Sequence, residues 1–301
     1  MSGKSLRGCG TALVTPFEAD GSLDEAALRA LVEWQIEEGI HFLVPCGSTG
    51  EAATLSFDEH LRVVEITAEQ VDGRVPVVGG AGSNDTAKCI QLCRAVAAGG
   101  ATHLLVVSPM YNRPPQRGLI GHFEAVADAV DVPVILYNVP ARTACNMEAA
   151  TTLALAEHPR VIGIKEASGN LAQITEVLLK RPDGFLVLSG DDALTFSVMA
   201  LGGEGVVSVV SNAVPRAMSD LVTAMGQGDL GRARRLQAAL HQLMLAIFVE
   251  TNPIPIKAVL AELGRIGETV RSPLTPLADT HRVALTAVLR AALESAEASA
   301  P

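Results

Sequence analysis

One lysine of this chain stands where few lysines are found. Val161-Ile162-Gly163-Ile164 is a short apolar run that leads straight into Lys165 and Glu166. A run of this kind reads as a strand buried on both faces. Burial disfavours the charged form of an amine, and a neutral amine at the mouth of a buried strand is a nucleophile suited to imine formation with a carbonyl. The competing reading is a lysine that snorkels out of the strand end. Imine chemistry also needs proton transfer, because forming and dehydrating a carbinolamine each move a proton. The chain has only two tyrosines, Tyr111 and Tyr137, each followed by asparagine at the end of an apolar run. A phenol near the lysine serves as general acid and base, and a small hydroxyl such as Ser48 passes the proton onward. The loop Gly47-Ser48-Thr49-Gly50 offers hydroxyls and glycine-bared N–H groups, a cradle for a small carboxylate. Arg142 is suited to holding a second carboxylate in bidentate fashion. The plainer readings are that Ser48 and Thr49 cap the next helix and that Arg142 is a solvated loop charge. Asp191-Asp192 reads as a cap for the helix after the seventh strand.

The elements that must position these residues follow from hydropathy. Strands are expected over 9–14, 40–45, 75–78, 103–107, 132–136, 161–164, 185–188 and 205–210. Helices are expected from Asp24 to about 38 and over 58–71, 85–98, 116–130 and 148–157. Strand and helix alternate eight times at roughly 20- to 35-residue intervals, the pattern of a (β/α)8 TIM barrel. In that fold the active site lies at the C-terminal ends of the strands, where Lys165 and both tyrosines fall. A doubly wound dinucleotide fold would carry G-x-G-x-x-G after an early strand, and that motif is missing. Segments 215–225, 230–248, 255–263 and 279–297 have apolar residues at helical spacing. One of them completes the barrel, and the others form a C-terminal helical extension. The expected domains are therefore 1–225 and 226–301, with the tail 298–301 frayed.

Composition narrows the function classes. The chain has 301 residues, 49% of them hydrophobic, and a formal net charge of −10. This acidity argues against nucleic acid and anionic membrane as partners. The sequence shows no signal peptide and no run long enough to span a bilayer. Cys9, Cys46, Cys89, Cys93 and Cys145 are odd in number and scattered, so they read as reduced packing thiols of a cytoplasmic protein, without a zinc site.

Four motifs in order carry a resemblance: Gly47-Ser48-Thr49-Gly50-Glu51, Tyr137-Asn138-Val139-Pro140-Ala141-Arg142-Thr143, Gly163-Ile164-Lys165-Glu166-Ala167-Ser168-Gly169-Asn170, and Ser189-Gly190-Asp191-Asp192. Together they resemble the dihydrodipicolinate synthase / N-acetylneuraminate lyase family, and the likeness runs from Gly10 to Asn252-Pro253-Ile254-Pro255-Ile256-Lys257 and beyond. The resemblance implies class I aldolase chemistry without metal or organic cofactor, Lys165 forming the imine with pyruvate and Tyr137 transferring protons. The dihydrodipicolinate synthase branch fits best, because it places an arginine where Arg142 stands, to hold the carboxylate of aspartate semialdehyde. The alternative is a relative acting on a 2-keto-3-deoxy sugar acid or another 2-oxo acid. The branch further implies a relay of Tyr137, Ser48 and Tyr111, the last reaching in from a neighbouring subunit of a homotetramer built as a dimer of dimers. Serine stands where threonine is usual. Thr49 would bind the pyruvate carboxylate, with backbone groups of Gly190 and Val207 lining the pocket. In lysine-inhibited members a dimer-interface site is polar and acidic. Here Asn84 and His60 match, but Phe57, Lys88 and Met110 depart from it, so feedback inhibition is expected to be weak or absent.

Overall fold

All eight apolar runs become strands, and the strands form one parallel sheet. The computed structural model describes residues 6–298, so the expectation for 299–301 lies outside the described residues. The strands are β1 (Gly8–Ala12), β2 (Phe42–Val44), β3 (Val78–Gly80), β4 (His103–Val107), β5 (Val134–Asn138), β6 (Val161–Glu166), β7 (Leu186–Ser189) and β8 (Gly205–Ser208). They are ordered β2-β1-β8-β7-β6-β5-β4-β3. A Leu43–Val77 bridge and the bond from Gly80 N to Pro45 O (2.9 Å) close the seam between β2 and β3. The result is the expected (β/α)8 barrel.

Period-two alternation fills it. Ala12, Phe42, Val44, Val78, Leu105, Ile135, Tyr137, Leu186, Leu188 and Val207 meet in the barrel interior. Their neighbours along the strands, such as Leu43, Leu104, Leu136, Ile164 and Val187, belong to the larger core shared with the helices. A Cβ on Gly10 would sit 2.0 Å from the Phe42 ring. The glycine is what lets that phenyl group plug the barrel, a burial that stabilises the fold by roughly 1.5–3 kcal/mol.

The surrounding helices are α1 (Glu25–Glu37), α2 (Phe57–Val71), α3 (Thr86–Ala98), α4 (Gln116–Asp128), α5 (Pro140–Thr143), α6 (Ala149–Ala156), α7 (Leu171–Lys180), α8 (Thr195–Ala200) and α9 (Pro215–Gly226). Side chains of Asp24, Ser56, Asp85 and Asn170 cap α1, α2, α3 and α7. In α2 the cap is reciprocal, with Glu59 returning a bond to Ser56 N. Three further helices follow: α10 (Leu230–Ala246), α11 (Ile254–Glu262) and α12 (Asp279–Glu297). α10 packs on α9 and α12, and α11 is buried from Ile254 through Leu260. Among the described residues no helix is long and apolar enough to cross a membrane.

Boundaries differ from expectation at informative places. β3 begins at Val78 rather than ending there, so Gly79 and Gly80 belong to the strand. A Cβ on Gly80 would lie 2.2 Å from Cys46 O; the glycines read as a loop are the closest approach at the barrel seam. β5 and β6 each run two residues further, which places Tyr137 and Lys165 inside the hydrogen-bonded ladder. The short α5, with Pro140 at its first turn, was not anticipated. Cys9, Cys46, Cys89, Cys93 and Cys145 are all free and buried.

Candidate active site

A cavity of about 400 Å³ opens at the C-terminal ends of the strands. Ser48, Tyr137, Val139, Arg142 and Asn252 are part of its wall. Lys165 and Thr49 lie just behind that wall, at 5% and 3% exposure. Tyr137 and Lys165 are register partners on adjacent strands, and the Lys165 Nζ lies 4.2 Å from the centre of the Tyr137 ring.

A second lysine shows why the first is special. Lys257 also sits in an apolar run and is completely buried, but its Nζ is 2.5 Å from Glu51 Oε1 and donates to Thr269 O at 2.8 Å. Burial lowers its pKa from the ordinary lysine value, and Glu51 opposes the shift. Lys257 is a neutralised structural cation. The Lys165 side chain makes no hydrogen bond or ion pair with the described residues; it has a phenol beside it instead. Of the two buried amines, Lys165 is the one left free to react.

The residues after Tyr137 and Lys165 point to the opposite side of the sheet and hold the pair in place. Asn138 Nδ2 donates to Glu166 Oε2 at 3.1 Å, and Glu166 Oε1 also accepts from Ser168 N at 2.7 Å. Asn138 Oδ1 accepts from Met147 N at 2.9 Å, so the clamp fastens the β5 and β6 ends to the loop before α6. Burial pushes the Glu166 carboxyl up from its ordinary value. A Cβ on Gly190 would lie 3.1 Å from Lys165 Cε and 2.6 Å from Ala167 Cβ. Glycine there leaves the channel through which the lysine stem passes. Asp191 and Asp192 correct the simple capping expectation. Asp191 caps only a short 3-10 turn, accepting from Ala193 N at 2.9 Å. Asp192 is buried and accepts from Val209 N and Val210 N at 2.9 and 3.0 Å, fixing the chain after Val207.

The hydroxyl loop is fixed from the C-terminal region. Asn252 Nδ2 donates to Thr49 Oγ1 at 2.8 Å, and Arg142 Nη2 donates to Asn252 O at 3.1 Å. Glu51, which ends the loop in a left-handed conformation (φ 53°), is held by Lys257 and by Arg271 N at 3.0 Å. Arg271 in turn pairs with Glu59, whose carboxyl it pulls down to about 2. The sequence places Glu51 in the Gly47–Glu51 motif at the strand ends, but gives no part in the site to Asn252 or Lys257. For Lys257 a signal was available, the same lysine-in-apolar-run pattern seen at Lys165. For Asn252 the signal was its place at the head of the Asn252–Lys257 stretch of the resemblance, which says nothing of its partner Thr49, 203 residues away in the chain.

The structure thus brings together Lys165, Tyr137, Ser48, Thr49, Arg142, Gly190 and the buried Val207. It does not bring in Tyr111, which is 88% exposed at φ 72°. Its backbone N donates to Thr143 O (3.3 Å), and its ring lies outside the cavity of its own chain. Met110 and His60 do line the cavity, and His60 Nε2 is engaged by Gly80 O at 2.7 Å. Lys88 and Asn84 are exposed, and Phe57 is 44% exposed.

A parallel eight-stranded barrel with an unpaired, buried lysine against a tyrosine at its C-terminal face is a protein equipped for carbonyl–amine chemistry. Comparison with known proteins narrows the class. The chain matches the model of the dihydrodipicolinate synthetase family over residues 5–292 and belongs to that family. The 4-hydroxy-tetrahydrodipicolinate synthase of Koribacter versatilis is 55% identical over 281 residues, 93% of this chain and 94% of its own. The structure of the synthase from Methylacidiphilum fumariolicum SolV superposes with a TM-score of 0.96 at 40% identity, covering 98% of each chain. The chloride-inhibited dihydrodipicolinate synthase of Acinetobacter baumannii, crystallised with pyruvate, gives 0.94 at 40% identity, covering 96% of this chain and 99% of its own.

Proposed function

We propose that the protein is a lyase that joins pyruvate to L-aspartate 4-semialdehyde, giving 4-hydroxy-tetrahydrodipicolinate and water on the route to diaminopimelate and lysine. The observation that carries this reading is the buried Lys165 amine, free of any carboxylate and 4.2 Å from the Tyr137 ring centre. It is supported by relatives of that name at up to 55% identity across the chain.

The chemistry follows from the groups at hand. The Lys165 amine attacks C2 of pyruvate, and Tyr137 shuttles the protons that convert the carbinolamine to imine and water. Loss of a C3 proton gives the enamine, whose C3 bonds to the aldehyde carbon while the aldehyde oxygen takes up a proton. The amine of the second substrate then attacks the imine carbon, and Lys165 leaves with its proton restored. Thr49 holds the pyruvate carboxylate and Arg142 that of the semialdehyde. Ser48 passes protons outward from Tyr137. The exposed Tyr111 completes this relay from a second copy of the chain, so the working unit is at least a dimer, and a tetramer in the reading given by the resemblance. The reading also places the protein in the cytoplasm.

Borohydride added with pyruvate should leave a stable adduct on Lys165 that Lys165→Ala abolishes. Arg142→Ala should retain the adduct and lose most turnover with aspartate semialdehyde. An unmodified Lys165 would sink the imine mechanism. Retained turnover in Arg142→Ala would sink the choice of second substrate.

A further inference from the structure

Just past the end of β1, Thr15 reaches across to the hydroxyl loop. Its Oγ1 donates to Gly50 O at 2.7 Å, and the threonine is buried. A carbonyl oxygen only accepts, so the direction of this bond is fixed. Thr15 itself stands on a firm base. Leu13 N donates to Val44 O at 3.0 Å and Val14 N to Asn212 Oδ1 at 3.1 Å. Pro16 restricts the backbone of the residue before it to extended conformations. The loop that Thr15 holds is strained. Cys46 (φ 56°) and Glu51 (φ 53°) flank it, both left-handed without being glycine. Gly50 N closes the turn on Gly47 O at 3.0 Å, and Glu51 N reaches Ser48 O at a longer 3.3 Å. The main-chain N–H groups of Ser48 and Thr49 bond to no described residue, and Ser48 lines the cavity.

We infer that Thr15 is a positioning residue for the pyruvate carboxylate, acting through the Gly50–Glu51 peptide. The inference rests on the function proposed above and adds a residue to it. That one planar peptide carries both the carbonyl held by Thr15 and the N–H that reaches Ser48 O. Its orientation is set by ψ of Gly50 and φ of Glu51. Glycine sets little limit of its own on ψ, and turning the peptide relieves the left-handed Glu51. Lys257 and Arg271 N hold the Glu51 side chain, not this peptide. No other described residue donates to Gly50 O. Without the Thr15 hydroxyl the buried carbonyl loses its donor and the peptide turns to find another. The turn then opens, and Ser48 and Thr49 no longer present their donors together to one carboxylate. The second carboxylate site is spared, because Arg142 is anchored by Asn252 O rather than by the loop.

The test uses the full-length enzyme and borohydride trapping of two ketones on Lys165: pyruvate, and acetone, which has no carboxylate. Thr15→Val keeps the size and branching of the side chain and removes only the hydroxyl. It should raise the half-saturating concentration of pyruvate about tenfold and leave the limiting trapping rate within about threefold of the parent. Trapping of acetone and the KM for L-aspartate 4-semialdehyde should each move less than about threefold. Thr15→Ser restores the hydroxyl and should return pyruvate half-saturation to within about threefold of the parent. A contact that serves stability alone would lower the thermal midpoint and leave half-saturation of the folded enzyme unchanged; that result overturns the inference. Equal losses with pyruvate and acetone, or a serine variant no better than valine, overturn it too. If valine prevents folding, Thr15→Ala is read in its place and the same outcomes decide. A parent enzyme that traps no pyruvate on Lys165 would instead refute the imine reading, and the inference with it.

Discussion

Replacing Glu51 by glutamine keeps the shape of the side chain and its bond from Arg271 N but removes the carboxylate that pairs with Lys257. Both partners are sealed from water, at 0% and 1% side-chain exposure, and they are 2.5 Å apart. Removing one member of such a pair strands a charge in a low dielectric, which costs about 3–5 kcal/mol. Arg271, already a repulsive neighbour of Lys257, adds to the penalty. The expected outcome is a fall of several degrees in the thermal midpoint. The sign of the pH dependence is fixed as well. Burial already holds the Lys257 amine below its ordinary value, and without Glu51 it must drop further. Between that lowered folded-state value and the unfolded value near 10.4, the unfolded chain binds more protons, so the stability of Glu51→Gln rises with pH relative to the parent. Urea unfolding of parent and variant at pH about 7 and 9.5 measures both effects, and the deficit should narrow at the higher pH. A deficit below about 1 kcal/mol, or one that does not change with pH, would refute the account of Lys257 as a neutralised structural cation.

Other outcomes follow from the same geometry. Gly190→Ala forces a methyl group to within 3.1 Å of Lys165 Cε and 2.6 Å of Ala167 Cβ; pyruvate trapping should slow by about tenfold and the thermal midpoint should fall, since Ala167 has no flexible end to move aside, and an unchanged rate would contradict the channel. Tyr111→Phe and Lys165→Ala should each be impaired alone, yet mixing and reassembling the two should recover activity, because one hybrid site then holds both intact residues. No gain on mixing would mean that Tyr111 does not act across subunits. L-lysine should inhibit weakly or not at all, since Phe57, Lys88 and Met110 stand where polar, acidic and aromatic groups receive it in inhibited relatives; half-maximal inhibition at micromolar lysine would show otherwise.

Much of this molecule was legible before folding. Alternation of apolar runs with amphipathic helices announced the barrel, and the rule that barrel sites gather at strand ends selected Lys165, Tyr137, Ser48, Thr49 and Arg142. Local signals found the helix start at Asp24, whose side chain caps α1, since a cap is decided within one helical turn. Strand ends were less legible. Tyr137, Asn138, Lys165 and Glu166 are polar or amphipathic and read as the start of loops, whereas pairing with neighbouring strands keeps them in the ladder. The same holds for Gly79 and Gly80, whose missing side chains meet the β2 turn rather than making a loop of their own.

The order of residue types along the chain determined the fold class, the catalytic face and the presence of an amine, a phenol and an arginine there. Only tertiary packing decided which lysine was free, because Lys165 and Lys257 share one local pattern and differ in whether a distant glutamate reaches them. It also brought Asn252 to Thr49 and Arg142, and sent Tyr111 to the surface. Those outcomes depend on contacts between residues far apart in the chain, and local periodicity carries no record of which partner will arrive.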